Sequence, residues 1–366
     1  MYTEKAYHIA DNCRFCWMCR HVCPVGLMTG KEINTPRAKA LLVSMEKRGI
    51  PLDREAAASF FECMLCEGCS NDCATGFEPP VFIREARAQA AAEGMLPAEV
   101  EKVLDRILET GVMYEETEED PALAEKIRLH QKKASVLVLL GAAARYRVPE
   151  MAVSLIGLLE RAGIDFMILE QEPAAGSELY DLIGQVEETR QQALACAGRL
   201  AETGAESIIV LDSYLAETLK HQFPVWGCSL PEQVVTATAY VDQLVKENRL
   251  TFRPLGSTVT VHDSPRLARD LEEMVPVREL AKAAGCEIRE MFLYGKLTKC
   301  CGSSLFGVYA PELARLTAKG RWEDAARTKA DILLVECPQA LEILKRAEHG
   351  DMELMDIFSL LKEALV

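Results

Sequence analysis

Two short runs of cysteine limit what this chain can fold into more than any other feature. Cys13-Arg-Phe-Cys16-Trp-Met-Cys19-Arg-His-Val-Cys23-Pro24 and Cys63-Met-Leu-Cys66-Glu-Gly-Cys69-Ser-Asn-Asp-Cys73 share the spacing C-x2-C-x2-C-x3-C, and the first is followed by proline. Three thiolates two residues apart can take three corners of one 4Fe-4S cube, while the fourth points away and reaches another cube. The spacing therefore assigns Cys13, Cys16, Cys19 and Cys73 to one cluster, and Cys63, Cys66, Cys69 and Cys23 to a second. Zinc also binds C-x2-C pairs, but two four-cysteine runs at this spacing make it the weaker reading.

The remaining cysteines fit the same chemistry. The chain has 14 in all; eight lie in the two runs, Cys300 and Cys301 are adjacent, and Cys196, Cys228, Cys286 and Cys337 are single. Met1–Arg20 does not read as a signal peptide, and in a reducing cytoplasm such clustering points to metal ligation rather than disulfides. Lys and Arg number 41 against 56 Asp and Glu, for a net charge of −15, which argues against a nucleic-acid surface. No apolar run reaches a membrane span. The expectation is a cytoplasmic protein, or one held at a membrane through a partner.

A length of 366 residues predicts two or three domains. Between the runs, Lys31–Arg48 places Ala38, Leu41, Leu42 and Met45 at helical spacing behind Pro36, and Val81–Glu93 follows Pro80 as another helix. The cubes are thus expected between helices, in a module over residues 1–95. Residues 96–133 read as a helical linker whose acidic run, Glu115, Glu116, Glu118, Glu119 and Asp120, is a solvated face. From Ala134 onward, apolar runs at Ser135–Leu140, Phe166–Leu169, Ser207–Leu211, Thr258–Val261, Glu287–Met291 and Ile332–Val335 alternate with helical stretches such as Pro149–Ala162, Glu188–Thr203 and Pro311–Ala318. Such alternation predicts βα units and parallel sheets.

That region also repeats at an offset near 125 residues. Ala174-Ala175-Gly176 corresponds to Cys300-Cys301-Gly302, Asp212 to Cys337, Ala142 to Pro265 and Leu215 to Ala340. The predicted fold class is α plus α/β: a helical ferredoxin-like domain followed by two pseudo-repeated βα halves, 134–253 and 254–366.

These features carry a family resemblance. The N-terminal module resembles the α-helical ferredoxin of heterodisulfide reductases, of the iron–sulfur subunits of fumarate and succinate dehydrogenases, and of glycolate oxidase; it departs from them at Ala74, where proline is usual. The stretches Lys299-Cys300-Cys301-Gly302, Tyr309-Ala-Pro-Glu-Leu and Ala330-Asp-Ile-Leu-Leu-Val-Glu-Cys337-Pro338 resemble the cysteine-rich CCG domain. That domain occurs twice in the catalytic subunits of heterodisulfide reductases. It also occurs in the iron–sulfur subunits of glycolate oxidase, lactate utilisation systems and anaerobic glycerol-3-phosphate dehydrogenase.

The departures matter as much. Ala142, Ala174, Ala175, Asp212 and Leu215 stand where the first CCG repeat would carry cysteines, so no cluster is expected there. The second repeat keeps Cys300, Cys301 and Cys337 but has Pro265 and Ala340 at the other two places. Residues just past the carboxyl ends of parallel strands converge on one crevice, so His262 and Asp263 join the three cysteines as candidates for a third metal or iron–sulfur site. An emptied site with free thiols is the alternative. Cys196, Cys228 and Cys286 read as small buried residues, Trp17 and His21 as packing over a cube, and His221 and Trp226 as structural.

No G-x-G-x-x-G fingerprint, Walker loop or C-x3-C-x2-C triplet is present, so no flavin is expected on this chain. The resemblance implies an electron-transfer subunit with two 4Fe-4S clusters. Its partners would be an FAD-dependent dehydrogenase of a 2-hydroxy acid or polyol, and a quinone, electron-transferring flavoprotein or ferredoxin. A catalytic heterodisulfide or thiol–disulfide reductase is the alternative, weakened by the loss of seven of the ten CCG cysteines. A scaffold that uses clusters only to hold its fold is a third reading.

Overall fold

The computed structural model describes residues 2–230, 233–347 and 350–366. Helices form where the sequence supplies a start signal and an apolar face. Thr35 Oγ1 accepts from Ala38 N at 3.3 Å ahead of Pro36–Lys47, Asp53 accepts from Ala56 N at 2.8 Å ahead of Arg54–Phe61, and two prolines open Pro79–Ala92. With Glu4–Asp11 these helices close around Phe60, Leu65, Phe77, Phe82 and Ile83. The two cysteine runs lie across this small core, each ending in a short helical turn, Met18–Val22 and Gly68–Asn71.

The rest is two parallel four-stranded sheets. The first holds β1 (Val136–Leu139), β2 (Phe166–Ile168), β3 (Ser207–Val210) and β4 (Gln233–Thr236) in the order β2-β1-β3-β4. The second holds β5 (Thr258–His262), β6 (Glu287–Ile288), β7 (Ile332–Val335) and β8 (Glu353–Asp356) in the order β6-β5-β7-β8. The central strands are rich in Val, Ile and Leu, as burial on both faces requires. Each half thus has four strands where apolar runs alone mark three. The fourth, β4 or β8, is an edge strand whose first residue is an exposed Gln or Glu, so its hydrophobic signal is weak.

The two halves repeat in packing as well as in strand order. Pro149–Arg161, the long helix between β1 and β2, packs on the last helix of the other half, Ile357–Ala364; reciprocally, Pro276–Ala283 packs on Ala237–Lys246. Such reciprocity is what a pseudo-twofold axis produces. Both sheets reverse strand order beside their first strand, and these switch points are where open α/β sheets bind ligands.

Residues 96–133 are not a free linker. Ala98–Thr110 buries Val100, Val103, Leu104 and Ile107, and Pro121–Leu129 buries Leu123 and Ile127. The His130 ring stacks on Phe166 at 4.1 Å between centroids. The acidic run is solvent-facing apart from Glu119, which pairs with the buried Arg145. Among the described residues, no helix is long and apolar enough to cross a membrane.

Candidate metal centres

The two cysteine runs adopt one backbone shape. The residues flanking the middle cysteine have positive φ in both: Phe15 at 55° and Trp17 at 69°, Leu65 at 50° and Glu67 at 62°. A bulky side chain in this region costs on the order of 1 kcal/mol or more, so four instances at matching places mark a loop shaped for a purpose. Left-handed residues set between right-handed ones turn successive N–H groups toward a common concavity, which suits an anionic group.

The fold brings the cysteines together across the two runs. Cys13, Cys16, Cys19 and Cys73 feel one another's charge, and Cys23 lines one cavity with Cys63, Cys66 and Cys69. Burial pushes Cys19 up to about 11 and Cys23 up to about 12. Burial raises Cys73 as well, but the Thr75 hydroxyl, 3.2 Å away, and neighbouring N–H groups bring it below the ordinary thiol value. Among the described residues, no three His, Cys, Asp or Glu side chains are placed to hold a single metal ion. Thiolates are the donors a cube takes, and the four cysteines of the second set line one cavity.

Buried cations hold the second run. Arg87, 1% exposed, donates to Phe60 O at 2.9 and 3.1 Å, to Cys63 O, and to Asp181 O at 2.6 Å. Arg269 donates to Cys66 O at 2.6 Å, to Lys296 O at 2.8 Å and to Thr298 O. Lys39, also 1% exposed, donates to Ile33 O at 3.0 Å and lines the cavity of Cys23 and Cys63. Sequence reading missed all three. For Lys39 a signal existed, since it lies between Pro36 and Val43 on the buried face of its helix; Arg87 and Arg269 reach partners remote in sequence.

At the switch point of the second half, Cys300, Cys301 and Cys337 line one crevice with His262, and Cys66 opens into the same crevice. Cys66 and Cys300 interact across this crevice, which lowers the Cys66 thiol and raises that of Cys300. Burial raises Cys301 to about 12 and Cys337 to about 11. Ser213 Oγ of the first half donates to Cys337 Sγ at 3.0 Å. Gly302 sits at φ +128°, where a Cβ would meet Ile343 Cγ2 at 2.9 Å.

Two residues expected as ligands here are otherwise engaged. Both Asp263 oxygens accept from Arg278, at 2.7 and 3.0 Å, and one also from Gly295 N at 2.7 Å, so Asp263 turns away from the thiols. His262 Nδ1 accepts from Arg321 Nε at 3.0 Å. Arginine is a permanent donor, so Nε2 must carry the proton. The buried Nε2 has no partner, and it offers the crevice an N–H rather than a lone pair. A ligand set of three thiols remains, and the spacing gives the adjoining Cys66 to the second run.

The matching crevice of the first half has no cysteine. Ala142, Ala174 and Ala175 line it with Glu172, Glu178 and Asp212. Glu172 accepts from Leu140 N at 2.8 Å and Gly141 N at 2.9 Å. Asp212 caps the next helix through Tyr214 N and Leu215 N and accepts from Gln339 Nε2 at 3.0 Å. Burial pushes the Glu178 carboxyl up to about 7. An iron–sulfur cluster does not fit this crevice.

Residues 9–77 match the 4Fe-4S dicluster domain, and residues 259–341 match the cysteine-rich CCG domain. The chain thus carries a dicluster domain at one end and a CCG domain near the other. One relative is a subunit of the dihydromethanophenazine:CoB--CoM heterodisulfide reductase of Methanosarcina acetivorans, 25% identical over 318 residues that cover 83% of this chain and 77% of the relative. Another is the EtfAB:quinone oxidoreductase of Syntrophomonas wolfei, 24% identical over 84% of this chain and 45% of its own length. A hypothetical protein from Helicobacter pylori shares the fold, with a TM-score of 0.62 at 10% identity over 99% of this chain and 72% of its own. The two matched domains are iron–sulfur domains, and the relatives that share them are oxidoreductases.

Proposed function

We propose that the chain is an electron-transfer subunit holding two 4Fe-4S clusters, one on Cys13, Cys16, Cys19 and Cys73 and one on Cys63, Cys66, Cys69 and Cys23. The observation that carries this is the crossing of the runs, which places Cys23 in the cavity of Cys63, Cys66 and Cys69. When bound, the cubes supply two one-electron centres. The chain's own residues half-bury the second set, place Lys39 in its cavity and Arg87 and Arg269 on its backbone carbonyls, and leave Cys16 of the first set exposed. On this reading it joins an FAD-dependent dehydrogenase of a 2-hydroxy acid or polyol to a quinone, electron-transferring flavoprotein or ferredoxin. It works in the cytoplasm or against a membrane through a partner.

Iron and acid-labile sulfide per chain after anaerobic purification, with EPR of the reduced protein, test the proposal. About eight irons and two interacting cubane signals are expected. Cys23→Ser should remove the second signal and leave the first. Tightly held zinc with little iron would overturn the redox reading. A second reading, catalysis on a heterodisulfide, draws on the crevice where Cys66, Cys300, Cys301 and Cys337 meet. Turnover of a heterodisulfide by reduced viologen, lost in Cys300→Ser, would establish it.

A further inference from the structure

The two cysteine loops share a backbone but not an environment. In the second run, Met64 and Leu65 are 7% and 1% exposed, and Arg269 of the CCG half packs against Gly68. In the first run, the matching stretch is open: Phe15 is 47% exposed, Trp17 41% and Met18 53%. Cys16 between them is the only exposed cysteine of the 14. Clustered apolar side chains of this size on a surface mark an interaction site. Aromatic residues, Met and Arg are also the types enriched where proteins meet.

The rim is basic on a protein of net charge −15. From Asn12 to Lys31 there is no carboxylate, while Arg14, Arg20 and Lys31 are all exposed. The Arg37 guanidinium lies 3.7 Å over the Trp17 ring and 5.7 Å from Phe15, and Arg20 lies 5.2 Å from Trp17. Arg37 is already paired with Glu32, through Nε at 3.0 Å and Nη2 at 2.9 Å, and Arg14 Nη1 donates to Asp11 O at 3.0 Å; the remaining N–H groups of Arg14, with those of the exposed Arg20, are what the patch offers a partner's carboxylates. The overall negative charge repels nucleic acid and anionic lipid, whereas this patch attracts an acidic protein face.

We propose that Phe15, Trp17 and Met18, rimmed by Arg14 and Arg20 and backed by the Glu32-paired Arg37, form the docking surface for an electron-carrier protein with an acidic face. The proposal rests on the two-cluster reading above, since the patch surrounds Cys16 of the first set. It commits to a partner on the Cys16 side, opposite in coverage to the second run, which the CCG half already occupies.

A small acidic 2Fe-2S ferredoxin serves as the probe. Its affinity for the iron-loaded protein, and the rate at which it reduces the clusters, would be measured at low and at high salt beside the Arg14→Glu/Arg20→Glu double variant. Wild type should lose affinity with salt. The double variant should bind at least tenfold more weakly at low salt and lose the salt dependence, with iron content and reduction by methyl viologen radical unchanged. Phe15→Asn, which tolerates the left-handed backbone, should weaken binding without altering the salt slope. Equal affinity of wild type and both variants would overturn the docking surface. Low iron in wild type would instead overturn the two-cluster reading, and the binding measurement would still stand by itself.

Discussion

The two βα halves are the same backbone put to different uses. Each reverses strand order beside its first strand, each bends through a positive-φ glycine (Gly176 at +83°, Gly302 at +128°), and each starts a helix at the same place, with Asp212 or Cys337 as the N-cap. In the second half that frame gathers thiols; in the first it gathers carboxylates that serve the fold. Asp212 shows the change most directly. Where the other half has a sulfur, its carboxylate caps a helix and receives Gln339 from across the pseudo-axis. One crevice has become part of the packing, and the other still faces a redox module.

The largest effects should come from the arginines that fasten the second cysteine run. Arg87→Met strands the carbonyls of Phe60, Cys63 and Asp181, and should cost about 4 kcal/mol by anaerobic denaturation. Arg269→Met, less buried and on the CCG side, should cost about 3 kcal/mol. A large loss from only one of them would mean that one half alone holds the module.

The paired glycines come next. In Gly176→Ala the new Cβ would meet Thr189 O at 2.9 Å, and in Gly302→Ala it would meet Ile343 Cγ2 at 2.9 Å, each at a φ that alanine resists. Both should lose about 2–4 kcal/mol. If Gly176→Ala melts like wild type, the structural equivalence of the halves fails at that point.

Asp212→Ala removes a cap and leaves the Gln339 amide without its acceptor, for a loss of about 1–2 kcal/mol. Cys337→Ala, an N-cap whose side chain makes no capping hydrogen bond, should cost less than about 1 kcal/mol. A reversed order, accompanied by a fall in iron, would show that the second crevice holds metal.

The smallest effect is a pH dependence. Glu178 has its carboxyl raised from 4.5 to about 7 by burial. A raised acid stabilises the fold below its unfolded value, and that stability is lost as pH rises through the folded one. Wild type should therefore weaken between about pH 4.5 and 7. Glu178→Gln should match it near pH 4.5 and exceed it at pH 8, on the order of 1 kcal/mol after allowing for partial exposure. Parallel melting curves across that range would refute the assignment.

Much of this was legible in the sequence because spacing is local chemistry. The C-x2-C-x2-C-x3-C runs dictate which thiols can share a cube, proline and Thr or Asp caps start the helices, and apolar runs mark the central strands. The offset that equates Cys300-Cys301-Gly302 with Ala174-Ala175-Gly176 likewise needs no coordinates. Tertiary structure alone decided the rest, because it depends on which groups meet across long stretches of chain. It set Cys66 and Cys300 in one crevice, drew Asp263 to Arg278, and turned the lone pair of His262 to Arg321, which leaves its Nε2–H buried without a partner. It also left the first cysteine loop open while covering its twin. A sequence names the donors a site can draw on; burial and the competing partners around each one decide which of them remain free to use.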